Sequence, residues 1–194
     1  MKLYSIYEDS DTYRTLGFDS NQMFEEYGSL INHFNVNFMA KSFAEKMKKP
    51  LNVTFSREAS EFSGDEIPDI SEHYGRLYLN QKAYEVVKDI IKNDGEFLPV
   101  ICDGEPAYIF NTLSLADNVD GLDKKLSIRN SMGDLKNVSF HNEKIKKFMI
   151  FKTKFDNFLS AYCQESLKNA IESAELKGVF FTPDLGNRLS KPTA

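Results

Sequence analysis

The chain has 194 residues, of which 41% are hydrophobic and 27% charged, with 16 Phe and 9 Tyr. That is enough apolar surface for one folded domain without disulfide support, and too little chain for two full domains. The net charge of −5 and the pI near 5.3 argue against nonspecific nucleic-acid binding and against anionic membrane surfaces, because both need a basic face.

No apolar run reaches the roughly 18–20 residues of a membrane helix, and the opening MKLYSIYEDSDTYR turns acidic where a signal peptide would carry its apolar core. A cytoplasmic location is the expectation. It agrees with the two cysteines, Cys102 and Cys163, which are far too sparse for a disulfide scaffold and read as buried free thiols. The charge is uneven: residues 1–75 carry 7 Lys or Arg against 13 Asp or Glu, and the remainder carries 17 against 16.

In chain order, KLYSIYE (2–8) reads as an opening strand closed by the polar Asp9-Ser10-Asp11. From Phe18 to Met39 neither period two nor period 3.6 prevails, which predicts short strands and loops. AKSFAEKMKK (40–49) predicts a short helix stopped by Pro50, and LNVTFS (51–56) alternates as a strand does. Residues 57–72 hold Glu58, Glu61, Asp65, Glu66, Asp69 and Glu72, with Gly64 and Pro68 breaking regular structure. This segment reads as an acidic, exposed connector between an N-terminal β-rich part (1–56) and an α+β core (73–183).

In that core Asn80 is placed to cap a helix over 81–92, where Ala83, Val86, Val87, Ile90 and Ile91 form one apolar stripe. EFLPVIC (96–102) and PAYIFNTL (106–113) flank Asp103-Gly104, the signature of a tight hairpin. Short strands are expected at 126–129 and 135–140, and a firmer one at 147–152. A second amphipathic helix at 164–176 ends at Lys177-Gly178 and leads into Val179-Phe180-Phe181. The stretches Tyr78–Phe97 and Tyr162–Phe180 therefore repeat one supersecondary pattern of strand, helix, glycine and strand. Residues 184–194 read as a loose tail. The predicted fold is α+β, a mainly antiparallel sheet carrying two amphipathic helices, with a smaller β-rich N-terminal part.

Motifs for site chemistry are missing from this sequence. His33, His73 and His141 are more than thirty residues apart, no Cys-x-x-Cys pair occurs, and neither phosphate-binding glycine loop is present. Asp117-Asn118-Val119-Asp120-Gly121-Leu122-Asp123 suggests calcium only superficially, because Val119 stands at a ligand position and Ile128 where the closing Glu belongs. A turn with Asx-type hydrogen bonds is the better reading. Neither a cofactor nor a metal is predicted, and the chain is not expected to be an enzyme. The one feature suited to recognition is the acidic set Glu58, Glu61, Asp65, Glu66, Asp69 and Glu72, as a docking surface for a basic partner.

Residues 70–123 combine a helix running into Gly-Glu-Phe-Leu-Pro-Val, a hairpin with Tyr108 and Asn111, and a closing Val119-Asp120-Gly121-Leu122-Asp123. This order resembles the Myxococcus-type immunity proteins of bacterial polymorphic toxin systems, long carried as a domain of unknown function. The closing turn has Asp120-Gly121-Leu122-Asp123 where that family is expected to carry Asp-Ala-Leu-Asp. Ser166 to Phe181 resembles the family's C-terminal helix and strand, so the likeness spans about residues 66–183. The resemblance implies a protein that binds and blocks a cognate toxin, and it brings no catalytic residues. The alternative is an enzyme or small-ligand protein whose site is assembled from His141, Cys163 and the Asp117–Asp123 turn.

Overall fold

The computed structural model describes residues 1–29, 33, 35–47, 49–56 and 64–187. Among these the chain forms twelve strands and four helices, in an α+β fold with mostly antiparallel sheets. The first half comprises β1 (Leu3–Glu8), β2 (Thr15–Phe18), α1 (Ser20–Tyr27), β3 (Leu51–Ser56), β4 (Ile70–Glu72), β5 (Arg76–Asn80), α2 (Gln81–Ile91), β6 (Gly95–Cys102) and β7 (Glu105–Thr112). The second comprises β8 (Ile128–Arg129), β9 (Leu135–Asn137), α3 (Asn142–Ile145), β10 (Ile150–Phe151), β11 (Ala161–Gln164), α4 (Glu165–Ser173) and β12 (Val179–Thr182).

A four-stranded sheet has the order β10-β11-β1-β12, a six-stranded sheet β2-β3-β6-β7-β5-β4, and β8-β9 form a small hairpin. The capped helix forms as its sequence predicts. The Asn80 side chain accepts from the Ala83 N–H at 2.9 Å, and Ala83, Val87 and Ile91 are buried. Asp103 and Gly104, at φ 50° and 92°, make the tight turn between β6 and β7.

β7 is antiparallel to both β5 and β6, and β1 is antiparallel to both β11 and β12. The units β5-α2-β6 and β11-α4-β12 are thus two split β-α-β motifs, each with one antiparallel strand between its parallel pair. This geometry underlies the internal repeat in the sequence. Helices α2 and α4 pack together, and Val87, Ile91, Leu167 and Ile171 join Ile6, Leu77, Phe110 and Cys163 in a central core. Two further cores cover the outer faces. On the six-stranded sheet Leu98, Val100 and Ile109 meet Met23, Tyr27 and Phe43. Phe151 and Tyr162 of the four-stranded sheet meet Ala116, Phe140 and Ile145.

Several expectations change. The strands of residues 1–56 are built into both sheets: β1 lies between β11 and β12, and β3 pairs in parallel with β6. Helix α1 replaces the expected loop, started by the Asp19 carboxylate accepting from the Asn21 and Gln22 N–H groups. The helix expected at 40–49 is reduced to a turn at 44–46, because Phe43 is drawn into the outer core. The strand expected at 147–152 shrinks to Ile150–Phe151, since the Asp94 carboxylate takes the N–H groups of Met149 and Ile150 at 2.7 and 3.2 Å.

The exposed connector expected at 57–72 is also corrected where it is described. Tyr13 bridges to Glu66, and residues 70–72 form the buried strand β4. Of the expected tail, residues 184–187 pack back, with Val138 N–H donating to Leu185 O at 3.2 Å, and 188–194 lie outside the described residues. Among the described residues no helix is long and apolar enough to cross a membrane.

Candidate functional site

Strands β4 and β5 are joined by a tight turn in which His73 and Arg76 exchange both backbone hydrogen bonds, at 2.8 and 3.2 Å. Its two tip residues, Tyr74 and Gly75, have φ of 49° and 75°. Glycine is required at the second, because its φ is left-handed and a Cβ there would lie 2.8 Å from the backbone oxygen of Phe158. Tyrosine at the first adopts a left-handed conformation that costs about 1–2 kcal/mol, an outlier of the kind that collects at functional surfaces.

The strained residue carries an aromatic ring into solvent. Tyr74 is 38% exposed, with ring centroids 4.5 Å from Phe38 and 4.7 Å from His73, and His73 lies 5.4 Å from Phe18. Beside Phe38, Met39 is 55% exposed and Val36 42%. Burial, with the Arg76 guanidinium nearby, pushes the His73 imidazole down to about 4, so the patch is uncharged at neutral pH.

Below the patch lies a set of charged and amide side chains, of which Arg76, Asn111 and Lys152 are buried and Glu96 half-buried. Arg76, Asn111 and Glu96 are directly opposed across β5, β7 and β6. Arg76 Nε donates to Asn111 Oδ1 at 3.0 Å, and Asn111 Nδ2 donates to Glu96 Oε1 at 2.8 Å. Each also reaches the segment around Phe38: Arg76 Nη2 donates to Asn37 O at 2.6 Å, and Asn111 Nδ2 to Lys41 O at 2.9 Å. Glu96 accepts from the Phe43 N–H at 2.7 Å and from Ser42 Oγ at 2.6 Å. Lys152 Nζ donates to Phe38 O at 3.2 Å and Tyr74 O at 3.4 Å. Burial pushes Arg76 down to about 9 and Lys152 well below the ordinary lysine value, with Glu72 opposing both shifts.

Of the six carboxylates expected to form a docking surface, the four that are described separate. Glu58 and Glu61 lie outside the described residues. Asp65 and Glu66 are exposed, beside the exposed Ile67 and the Asp9–Tyr13 turn. Asp69 instead ties elements together, accepting from Asn80 Nδ2 at 2.8 Å and from the Lys177 N–H at 3.0 Å. Glu72 is only 5% exposed and faces the Gly75 N–H and the Arg76–Lys152 cluster, so it is not available to a docking partner.

The residues of the alternative site separate as well. The Asp117–Asp123 turn closes as an Asx-type structure, with Asp123 Oδ1 accepting from the N–H groups of Lys125 and Leu126 at 2.9 and 3.1 Å. His141 Nδ1 lies 3.8 Å from Asp123 Oδ2, and the two line a cavity of about 700 Å³ together with Lys124, Lys125 and Lys154. Cys163 is elsewhere, fully buried in the central core, and burial pushes its thiol far up. Among the described residues no group of three or more His, Cys, Asp or Glu is placed to hold a metal ion.

The aromatic patch escaped the sequence reading because its parts come from residues 18, 36–39 and 73–74. One signal was present: the glycine of Tyr74-Gly75, just before the apolar run Leu77-Tyr78-Leu79, marks a turn with a large ring at its tip. Comparison with protein-family models and with curated proteins gives no match.

Proposed function

We propose that this chain is an immunity-type binding protein that neutralises a cognate bacterial toxin by direct protein–protein contact in the cytoplasm. The observation that carries this reading is the surface made by exposed Tyr74 and Met39 with half-buried Phe38, held on a hydrogen-bonded base. Aromatic residues and Met are enriched at protein interfaces, and rigid support lowers the ordering cost of binding. The resemblance of residues 66–183 to toxin-neutralising immunity proteins points the same way. Glu58, Glu61, Asp65 and Glu66 supply steering charge for a basic partner, while Asp69 and Glu72 serve the fold. The test is co-expression with the toxin encoded beside this gene: the chain rescues growth, and Tyr74→Gly does not. Growth arrest despite full expression of the intact chain would contradict the reading.

A second reading rests on the cavity lined by His141, where Lys124, Lys125 and Lys154 are matched by Asp117, Asp120 and Asp123, a lining that suits a small polar ligand carrying both charges. Cys163 has no place in it. Saturable binding of a small zwitterion such as a free amino acid, lost in both Lys154→Ala and Asp120→Ala, would favour this reading.

A further inference from the structure

We infer that residues 35–47 form a strap held as a local unit by the polar row Arg76, Asn111 and Glu96 together with Lys152, and that these four are positioning residues for the surface the strap presents. Its use in recognition rests on the function proposed above; the clasp itself does not.

The strap's composition and conformation disagree. AKSFAEKMKK is rich in good helix formers, yet residues 44–46 make only a turn. A segment held against its local preference needs an outside restraint. That restraint is visible as side chains from separate strands bonding the strap's backbone: Arg76 to Asn37 O, Lys152 to Phe38 O, Asn111 to Lys41 O and Glu96 to the Phe43 N–H. Glu96 also takes Ser42 Oγ, and Arg76 lies over the Phe43 ring at 5.6 Å.

Apolar burial acts beside these bonds at one end of the strap. Phe43 is fully buried and Met47 packs beside it, whereas Val36 and Met39 face solvent. A row of charge and amide across three central strands is a costly way to fill a sheet face, since apolar residues of similar size serve a core as well or better. In return it specifies one position for the strap, which places the Phe38 ring 4.5 Å from that of Tyr74. Two residues of the row, Glu96 and Asn111, belong to the strand and hairpin quoted above for the family resemblance.

The experiment uses the full chain without any partner. Trypsin cleavage after Lys41 and Lys46, and hydrogen exchange of residues 35–47, are compared for the wild type, Glu96→Ala, Glu96→Gln and Ser42→Ala. Glu96→Ala removes the acceptor for Phe43 N–H, Ser42 and Asn111, so strap cleavage and exchange rise about tenfold or more. The amides of α2 and α4 keep their protection. Glu96→Gln, which retains one acceptor oxygen, restores strap protection to within about threefold of wild type. Ser42→Ala gives a smaller rise confined to the strap.

Unchanged strap exchange in Glu96→Ala would overturn the inference. So would strap, α2 and α4 opening together, because the row would then be ordinary core. If Glu96→Ala fails to fold, Ser42→Ala decides: a local rise supports the clasp, and no rise overturns it. Because no partner is present, a failed clasp leaves the binding function standing, and a failed binding assay leaves the clasp standing.

Discussion

Replacing Tyr74 by glycine separates folding from recognition. Glycine relieves the left-handed strain at φ 49°, worth about 1–2 kcal/mol. It gives back about 0.4–1 kcal/mol through the freer unfolded chain. Losing the ring contacts at 4.5 Å to Phe38 and 4.7 Å to His73 costs about 0.5–1.5 kcal/mol for each pair. The midpoints of these terms leave a net loss of about 1 kcal/mol, or roughly 2–4 °C in Tm for a chain of this size. A centrally placed interface tyrosine typically contributes 2 kcal/mol or more, about thirtyfold in affinity. Thermal melts followed by circular dichroism, together with growth rescue against the neighbouring toxin, measure both effects. A melting point lower by more than about 10 °C would show that the ring supports the fold, and full rescue with normal stability would refute its role in binding.

The structural carboxylate should differ from the surface ones. Asp69→Ala removes the acceptor for Asn80 and for the Lys177 N–H and should cost about 1–2 kcal/mol in urea unfolding, whereas Asp65→Asn with Glu66→Gln should stay within about 0.5 kcal/mol. Neutralising Glu58, Glu61, Asp65 and Glu66 together should slow association with a basic toxin about tenfold at low salt and far less at high salt, as read by stopped-flow kinetics. Cys163 should react with a thiol reagent only as fast as the protein unfolds, because it is fully buried; faster labelling in native buffer would contradict the sealed core. His73 is held at about 4 by burial and Arg76 against an ordinary value of 6.5. The folded state therefore binds this proton more weakly than the unfolded chain, and stability present at pH 7 is lost as pH falls from 6.5 towards 4. The full loss is on the order of 3 kcal/mol. His73→Gln should flatten that part of the pH–stability curve.

Elements set by local signals were legible. Asn80 and the Ala83–Ile91 stripe defined α2, Asp103-Gly104 defined the hairpin, and alternation defined β3. Strand partners were not legible, because period two says which face is buried and not which strand lies alongside. Nothing local in LNVTFS indicates that β3 runs parallel to β6. Helix α1 was missed because, of its eight residues, only Met23 and Tyr27 are buried, too few for a periodic signal. Charge misled the expectation at Glu72, which in sequence reads as exposed yet turns inward towards Lys152, far along the chain. Arg76, on which the sequence raised no expectation, likewise turns inward, to Asn37 and Asn111. The candidate surface was illegible for the same reason: its rings meet only after β2, the strap and the β4–β5 turn are in place.

The central claim is direct contact with a toxin through the Tyr74 surface. Titration calorimetry of the purified chain against a catalytically inactivated form of the toxin encoded beside its gene tests it most directly. A one-to-one complex with a submicromolar Kd is predicted, weakened about thirtyfold or more by Tyr74→Gly. No detectable complex with a folded toxin, or the same affinity in Tyr74→Gly, would contradict it.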